Sequence, residues 1–556
     1  MNLAVLLRNA TEEQRRHLFV YALLSGAANA GILAVVNKGT AAAAATEAST
    51  RYFFLFLIVL ALYVVTQRFI FDRATTIFES LVEGLRHRLS ARIRDTDLLV
   101  FERHTRSELY TRLTRETQVI ADQQMMLVGG IQATMFVLFA MVYIAFLSKV
   151  ALVLTIVCAG VGVWLHFGRE AQHAAAIQEA TQEEIAFLGA VGDQLDGFTE
   201  LKMDHRRAQA VGEYVDGHAT TLRWARERMV TIFNHRIIFA QTFFFSMVGA
   251  VVFILPKLVH AYADVVQQLA TSVLFVVGPL GMVVNSFPAW ARASTAAANI
   301  LRLEEELRAE SAPSAKEPLA LTRTPARVEL RDVSFAYPAS SDEAFSVGPL
   351  SLTLDAGEVV FLVGGNGSGK STLVRLLIGL YGPRSGVLMA DGRVIDERTV
   401  QNYREQFAAI LPGFHLFKRL FGLEHADAER IAALLAETKL TDKTAFVDGE
   451  FTTLDLSTGQ RKRLALVVAL LSDKPFYVFD EWAADQDPEY REYFYRHVIA
   501  DLKAAGRGVL VVTHDDRYFN IADRVLRMEY GQLRTMTPSP TISAGSLPAG
   551  APSSNA

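Results

Sequence analysis

Glu358–Leu380 reads EVVFLVGGNGSGKSTLVRLLIGL, and its three parts decide the fold of what surrounds it. Glu358–Val363 reads as an apolar strand, Gly364–Thr372 (GGNGSGKST) as a glycine-rich turn, and Leu373–Leu380 as a helical run. This is G-x-x-x-x-G-K-S in a strand–loop–helix context. Gly364, Gly365, Gly367 and Gly369, with Asn366 and Ser368 between them, let backbone N–H groups converge on phosphate oxygens. The following helix adds its N-terminal dipole. Lys370 is expected to reach the β- and γ-phosphates, and Ser371, followed by Thr372, to ligate Mg²⁺.

Other pieces downstream fit a nucleotide site. Phe476–Phe479 (FYVF) predicts a second buried strand that ends in Asp480 and Glu481. The aspartate suits a metal held through water, and the glutamate suits an attacking water. Leu456, Ser457, Thr458, Gly459 and Gln460 precede the basic helical run Arg461–Leu471, a helix start that can present N–H groups to phosphate. Thr513-His514-Asp515-Asp516 follows the apolar strand Val509–Val512, which places His514 at a strand end within reach of a γ-phosphate. Tyr337, upstream in SFAYP, offers an aromatic face to adenine.

The first 300 residues are a different material. Long apolar runs cover His17–Val36, Tyr52–Phe71, Ile131–Ser148, Ala151–Phe167, Ile237–Leu255 and Val265–Phe287, the last interrupted by Gly278 and Pro279. Each is near the ~20 residues that cross a bilayer as a helix, so six spans are expected. Arginines crowd the connectors after spans two and four, which places both ends of the unit in the cytoplasm. His17–Val36 lacks a small-residue cleavage pattern and reads as a retained span. The two basic connectors predict amphipathic helices running below the membrane and back, with Leu99–His104 and Gly197–Met203 at their tips. Gln132, Gln241, Gln267, Gln268 and Asn285 lie at membrane depth, where bonding to a neighbouring helix is the expected role.

In this order the motifs resemble the ATP-binding cassette of ABC transporters, over nearly the whole chain. The resemblance implies a membrane all-α six-helix exporter-type domain fused to an α/β P-loop cassette. It makes Tyr337 the A-loop tyrosine, Gly364–Thr372 Walker A and Leu456–Gln460 the signature, LSTGQ for the usual LSGGQ. Asp480 and Glu481 then look like Walker B and its catalytic glutamate, Asp487 like the D-loop acid, and His514 like the H-switch. GGNGSGKST, LSTGQRKR, DEWAADQDP and THDDRYF are similar to the cyclic-peptide and peptide-siderophore exporter branch. One departure concerns the glutamine such cassettes carry about forty residues after Walker A, contacting Mg²⁺ and the membrane domain. Here Pro412, in FAAILPGFHLF, takes its place. Another is EFTTL, Glu450–Leu454, just before the signature.

One Walker A and one signature per chain imply a homodimer, because the family clamps each ATP between Walker A of one cassette and the signature of the other. The expected domains are a transmembrane unit over 1–302, a linker over 303–326, a cassette over 327–534 and a disordered tail over 535–556. The expected location is the bacterial inner membrane, with both termini cytoplasmic. The expected function is ATP-driven, Mg²⁺-dependent export of a cyclic or lipidated peptide or siderophore precursor to the periplasm. Periplasmic and outer-membrane efflux components are left open as partners. The alternatives are a lipid or multidrug exporter and a cassette-gated protein that does not pump. No peptidase domain is expected before span one.

Whole-chain averages hide this division. The 556 residues are 51% hydrophobic and 21% charged, and net charge −4 gives no basic field for nucleic acid. One cysteine, Cys158, leaves no intrachain disulfide and reads as a packing residue in span four.

Overall fold

The computed structural model describes residues 12–44, 50–167, 170–254, 263–309, 325–337 and 345–536. By its internal contacts the chain forms two units, Met1–Ser90 with Arg106–Glu304, and Ala91–Thr105 with Glu305–Ala556.

In the second unit the strands are β1 (Arg327–Ala336), β2 (Ser346–Asp355), β3 (Val359–Gly364), β4 (Ser385–Ala390), β5 (Arg393–Val394) and β6 (Phe407–Ile410). They continue with β7 (Phe446–Val447), β8 (Glu450–Phe451), β9 (Phe476–Asp480), β10 (Gly508–Val512), β11 (Arg524–Glu529) and β12 (Gln532–Met536). β9 and β10 are buried at every position and β3 at all but Gly364. Strands apolar on both faces belong in the middle of a parallel sheet covered on each side. That is their place: the six-stranded sheet runs β12-β11-β3-β10-β9-β6, and only β12 is antiparallel to its neighbour. The register pairs Val512 with Leu362 on one side and with Asp480 on the other. The carboxyl ends of β3, β9 and β10 therefore finish side by side, where open α/β sheets bind ligands. A separate antiparallel sheet, β2-β1-β4-β5, packs its inner face with the Lys370–Leu377 helix and Tyr381 in one apolar core.

The first unit is helical. Four helices among the described residues are long and apolar enough to cross a membrane: Arg16–Ala43, Thr50–Asp95, Glu108–Leu147 and Val266–Arg308. Lys149–Cys158 and Thr242–Ile254 are shorter apolar stretches at expected spans four and five, whose remaining side chains lie partly outside the described residues. Thr50–Asp95, with 46 residues, extends ~69 Å, far more than the hydrocarbon core requires. The apolar residues Phe53, Phe54, Ile58, Val64 and Phe146 face outward, as a lipid solvent allows. Gly278 and Pro279, which interrupt the apolar run of expected span six, do not break its helix, which runs Ala263–Ala309 through Pro279 and Pro288. Neighbouring helices and local adjustment tolerate proline at such positions. The expected linker accordingly begins as helix, and 310–324 lie outside the described residues.

Gln132 is buried and donates to Ser25 Oγ at 3.1 Å and Gln67 Oε1 at 2.9 Å. Asn37 donates to Ser272 Oγ at 3.0 Å and to the Gln268 carbonyl at 3.1 Å. Both are helix-to-helix bonds, the expected use of amides in a bilayer. Cys158 is half-buried and packs on the same membrane core.

The tail's first two residues, Thr535 and Met536, close β12; the rest lies outside the described residues.

Candidate active site

β3 ends at Gly364, whose φ is +153°. A Cβ there would sit 2.4 Å from the Met528 carbonyl, and one at Gly369 (φ +105°) would sit 2.7 Å from Val347 Cγ1. Only glycine fits both turns of the loop. Lys370 opens the helix Lys370–Leu377 and is 6% exposed. Its Nζ donates to the loop's own carbonyls, Gly364 at 2.9 Å and Gly365 at 3.0 Å. Ser368 Oγ is buried without a hydrogen-bond partner.

β9 delivers Asp480, 4% exposed, and both its carboxylate oxygens are buried without a hydrogen-bond partner. Burial raises its pKa and Glu481 adds to the rise, while Ser371, Lys370 and Arg375 pull against it. A buried acceptor pair with no donor beside a hydroxyl suits a hard, oxygen-seeking dication. Among the described residues no group of three acidic, His or Cys side chains forms a metal cage. A cation here would draw its other ligands from substrate and water, the usual Mg²⁺ arrangement.

Glu481 turns off the sheet in the left-handed region, at φ +52°. Such a conformation in a non-glycine residue costs of order 1–3 kcal/mol and has to be held by its surroundings. The Glu481 N–H donates to the Val512 carbonyl at 3.1 Å, and its own carbonyl accepts from Lys462 Nζ at 2.8 Å. The turn aims Oε1 to 3.4 Å from His514 Nε2 and 4.0 Å from Lys370 Nζ. Lys370, Asp480, Glu481 and His514, scattered over 145 positions, thus meet at the carboxyl ends of β3, β9 and β10. Tyr337 stands beside them: its hydroxyl shares a 3.0 Å hydrogen bond with Thr372 Oγ1. A triphosphate with its base can be held by these groups, and a water can be held by Glu481.

Leu456–Gln460 is built for a different contact. Ser457 caps the helix Thr458–Leu471 in a reciprocal capping box with Gln460. Gly459 is fixed by its neighbours: its carbonyl accepts from Gln486 Nε2 at 3.1 Å, and a Cβ would lie 2.9 Å from the Asp485 carbonyl. Among the described residues, none of the motif's hydrogen bonds reaches Gly364–Thr372. Asp487 caps the Pro488–Tyr493 helix through the Tyr490 N–H at 2.8 Å and binds Arg463 at 2.6 Å. The Tyr490 N–H, with Arg463 beside it, holds its carboxyl below the usual range.

One residue of the site, Lys462, escapes a reading by motif. Lys462 is 14% exposed, pairs with Asp485 at 2.6 Å and holds the Glu481 carbonyl. It lies in the basic run after the signature, but nothing in that run says which of its three basic residues reaches Glu481. Pro412 occupies a tight turn: Gly413 has φ +76° and the Phe414 N–H donates to the Leu411 carbonyl at 3.2 Å. Pro then Gly is the type II pattern, and it leaves no side-chain amide at this position. EFTTL begins on β8, half of the small β7–β8 hairpin.

The family model "ABC transporter" matches residues 347–484. The "ATP-binding protein SyrD" of Pseudomonas syringae pv. syringae is 31% identical over 535 residues, spanning 92% of each chain. An "ATP-dependent lipid A-core flippase" of Burkholderia pseudomallei (strain 1710b) is 27% identical over 471 residues, 81% of this chain and 77% of its own. The fold is that of a bacterial Atm1-family ABC exporter solved with ATP bound, at TM-score 0.77 and 18% identity over 94% of this chain and 95% of the other.

Proposed function

This chain belongs to the ABC transporter family, an ATP-hydrolysing membrane exporter by descent and fold, and from that premise we propose that a homodimer of it exports a peptide, cyclic or lipidated, or a siderophore precursor, from cytoplasm to periplasm. The convergence of Lys370, Asp480, Glu481 and His514 at the ends of β3, β9 and β10 carries the catalytic half of this reading. Lys370, the Gly364–Gly369 backbone and Thr372 hold the triphosphate, and Tyr337 borders the adenine. Glu481 orients the attacking water and accepts its proton at Oε1, with His514 Nε2 beside it fixing that carboxylate. Ser371 and the two unpartnered oxygens of Asp480 fit Mg²⁺. When bound, the ion supplies positive charge to the phosphate oxygens. Leu456–Gln460, engaged away from its own phosphate loop, is free to serve the ATP of a second copy, which supports the homodimer. Asp487 acts beside it by fixing the loop that carries Asp485 and Gln486.

The peptide substrate rests on the resemblance of LSTGQRKR and DEWAADQDP to the cyclic-peptide and peptide-siderophore exporter branch. The second reading is lipid export, favoured by the relatives named lipid A-core flippases. ATPase rates of the chain in lipid discs separate them. Stimulation by cyclic lipopeptides or peptide siderophores above a lipid-only baseline is expected. Stimulation by lipid A or dyes alone would overturn the peptide reading.

A further inference from the structure

The segment 91–105, the tip of the first basic hairpin, belongs to the same compact unit as the cassette. Its short helix Leu98–Phe101 lays Leu98 and Leu99 against the apolar core that also contains Tyr381 and the buried face of the Lys370–Leu377 helix. Polar contacts surround this seat. Glu102 Oε2 accepts from the Tyr381 hydroxyl at 2.6 Å, and Glu102 Oε1 lies 3.6 Å from Arg375 Nη2. Arg375 Nη1 donates to the same Tyr381 oxygen at 2.7 Å, with its guanidinium over the Tyr381 ring. Asp97 lies 3.9 Å from Arg404, whose Nε donates to the Gly379 carbonyl at 2.8 Å.

The bonds run in one direction: Arg375 gives to Tyr381, and Tyr381 gives to Glu102. Burial first, then the bond to Glu102, raises the Tyr381 pKa, so the phenol keeps the proton it donates. Tyr381 is 1% exposed, stacked on Phe335 at 5.0 Å and edge-on to Tyr337 at 5.9 Å. Arg375 stands one turn beyond Ser371 on the phosphate-loop helix, and Tyr337 holds Thr372 on that helix. One carboxylate on the hairpin tip is therefore two bonds from the helix that cradles phosphate and one ring contact from the tyrosine beside the base. The turn at Pro412 has no polar side chain to offer the same service.

We propose that Glu102 is a positioning residue for coupling: through Tyr381 and Arg375 it ties the hairpin tip to the phosphate-loop helix, making the link that the Pro412 turn cannot. A charge-assisted hydrogen bond from Tyr381, with the Arg375 guanidinium 3.6 Å away as its ion-pair partner, is stiff and specific, and its half-buried setting shields it from salt. The link lets movement of the loaded phosphate loop pull on the helix Thr50–Asp95 that continues from the tip. It rests on the exporter reading above.

The test uses the full chain in lipid discs, with Cys158→Ser and spin labels at Tyr214→Cys on the two copies of a dimer. The distance distribution is read without nucleotide and with ATP plus vanadate, and ATP turnover is measured on the same samples. Glu102→Gln is expected to hydrolyse ATP near the reference rate but to lose about tenfold of the nucleotide-driven population ratio, the effect of one lost charge-assisted link. Tyr381→Phe, which keeps the ring, is expected to do the same. Glu102→Arg should fail, and Glu102→Arg with Arg375→Glu should recover the shift, which mere loss of packing would not permit. A full shift in Glu102→Gln, or no recovery in the swap, would overturn the proposal. No shift in the reference protein while it hydrolyses ATP would instead overturn the exporter reading beneath it.

Discussion

Asp480→Asn should make the protein more stable while it destroys its activity. The carboxylate is buried, 4% exposed, and neither oxygen accepts a hydrogen bond. Its raised pKa, with burial as the leading cause, states the same imbalance: the fold disfavours the charged form. An unsatisfied buried polar group costs ~1–3 kcal/mol, and more when charged. The replacing amide is itself left without partners, so we take ~1–2 kcal/mol as the gain. For a unit of this size each kcal/mol is worth roughly 2–4 °C, giving a rise of about 2–8 °C. Trp482 provides a native probe, fully buried beside the site with its indole N–H on the Lys462 carbonyl at 2.8 Å. Thermal unfolding of the full chain in detergent with EDTA, followed by tryptophan emission, measures the shift. The comparison is then repeated with Mg²⁺ and ATP in a Glu481→Gln background. There the order reverses, because ligand binding stabilises the form that holds the cation. An Asp480→Asn protein that melts at or below the reference in EDTA would refute the orphaned-charge reasoning. One that gains as much from Mg²⁺ and ATP as the reference would remove Asp480 from the metal site.

Glu481→Gln should retain ATP binding and lower turnover by roughly 10²–10⁴-fold, the usual worth of a general base; steady-state hydrolysis at the reference rate would take Glu481 out of that role. Lys370→Ala should weaken ATP affinity measured by titration, and an unchanged affinity would sink the phosphate-cradle assignment. Lys462→Gln and Asp485→Asn should each lower turnover with little change in ATP affinity, since both act through the position of Glu481. A double-mutant cycle between them should show coupling of about 0.5–3 kcal/mol, and strict additivity would dissolve the pair. Gly459→Ala drives a Cβ to 2.9 Å from the Asp485 carbonyl, so turnover should fall while the single chain still binds ATP; normal turnover would show the motif loop to be tolerant there.

The parts of this protein that follow a local rule were legible in its letters. Strand, glycine turn and Lys-Ser at Glu358–Leu380 announce a phosphate loop because the turn's backbone demands are local, and Gly364 and Gly369 meet them as expected. Apolar run length announces membrane helices for the same reason, and the span over Val265–Phe287 stays helical through Pro279, where packing between helices overrides the local breaker. The helix start after Leu456–Gln460 was equally open to view. Its engagement with Gln486 was not, because that depends on how a distant loop folds back.

Residue type and spacing alone thus determined that this chain joins apolar helices to a phosphate-loop ATPase, and named the acids and bases proposed to serve it. Only the tertiary structure decided that Glu481 is held in a left-handed turn by Lys462, that Asp480 is left without a donor, and that Glu102 reaches Tyr381 across 279 positions. The reason is physical: propensity and periodicity act over a few residues, whereas burial and hydrogen-bond partners are set by which strand ends and loop tips the sheet order brings together.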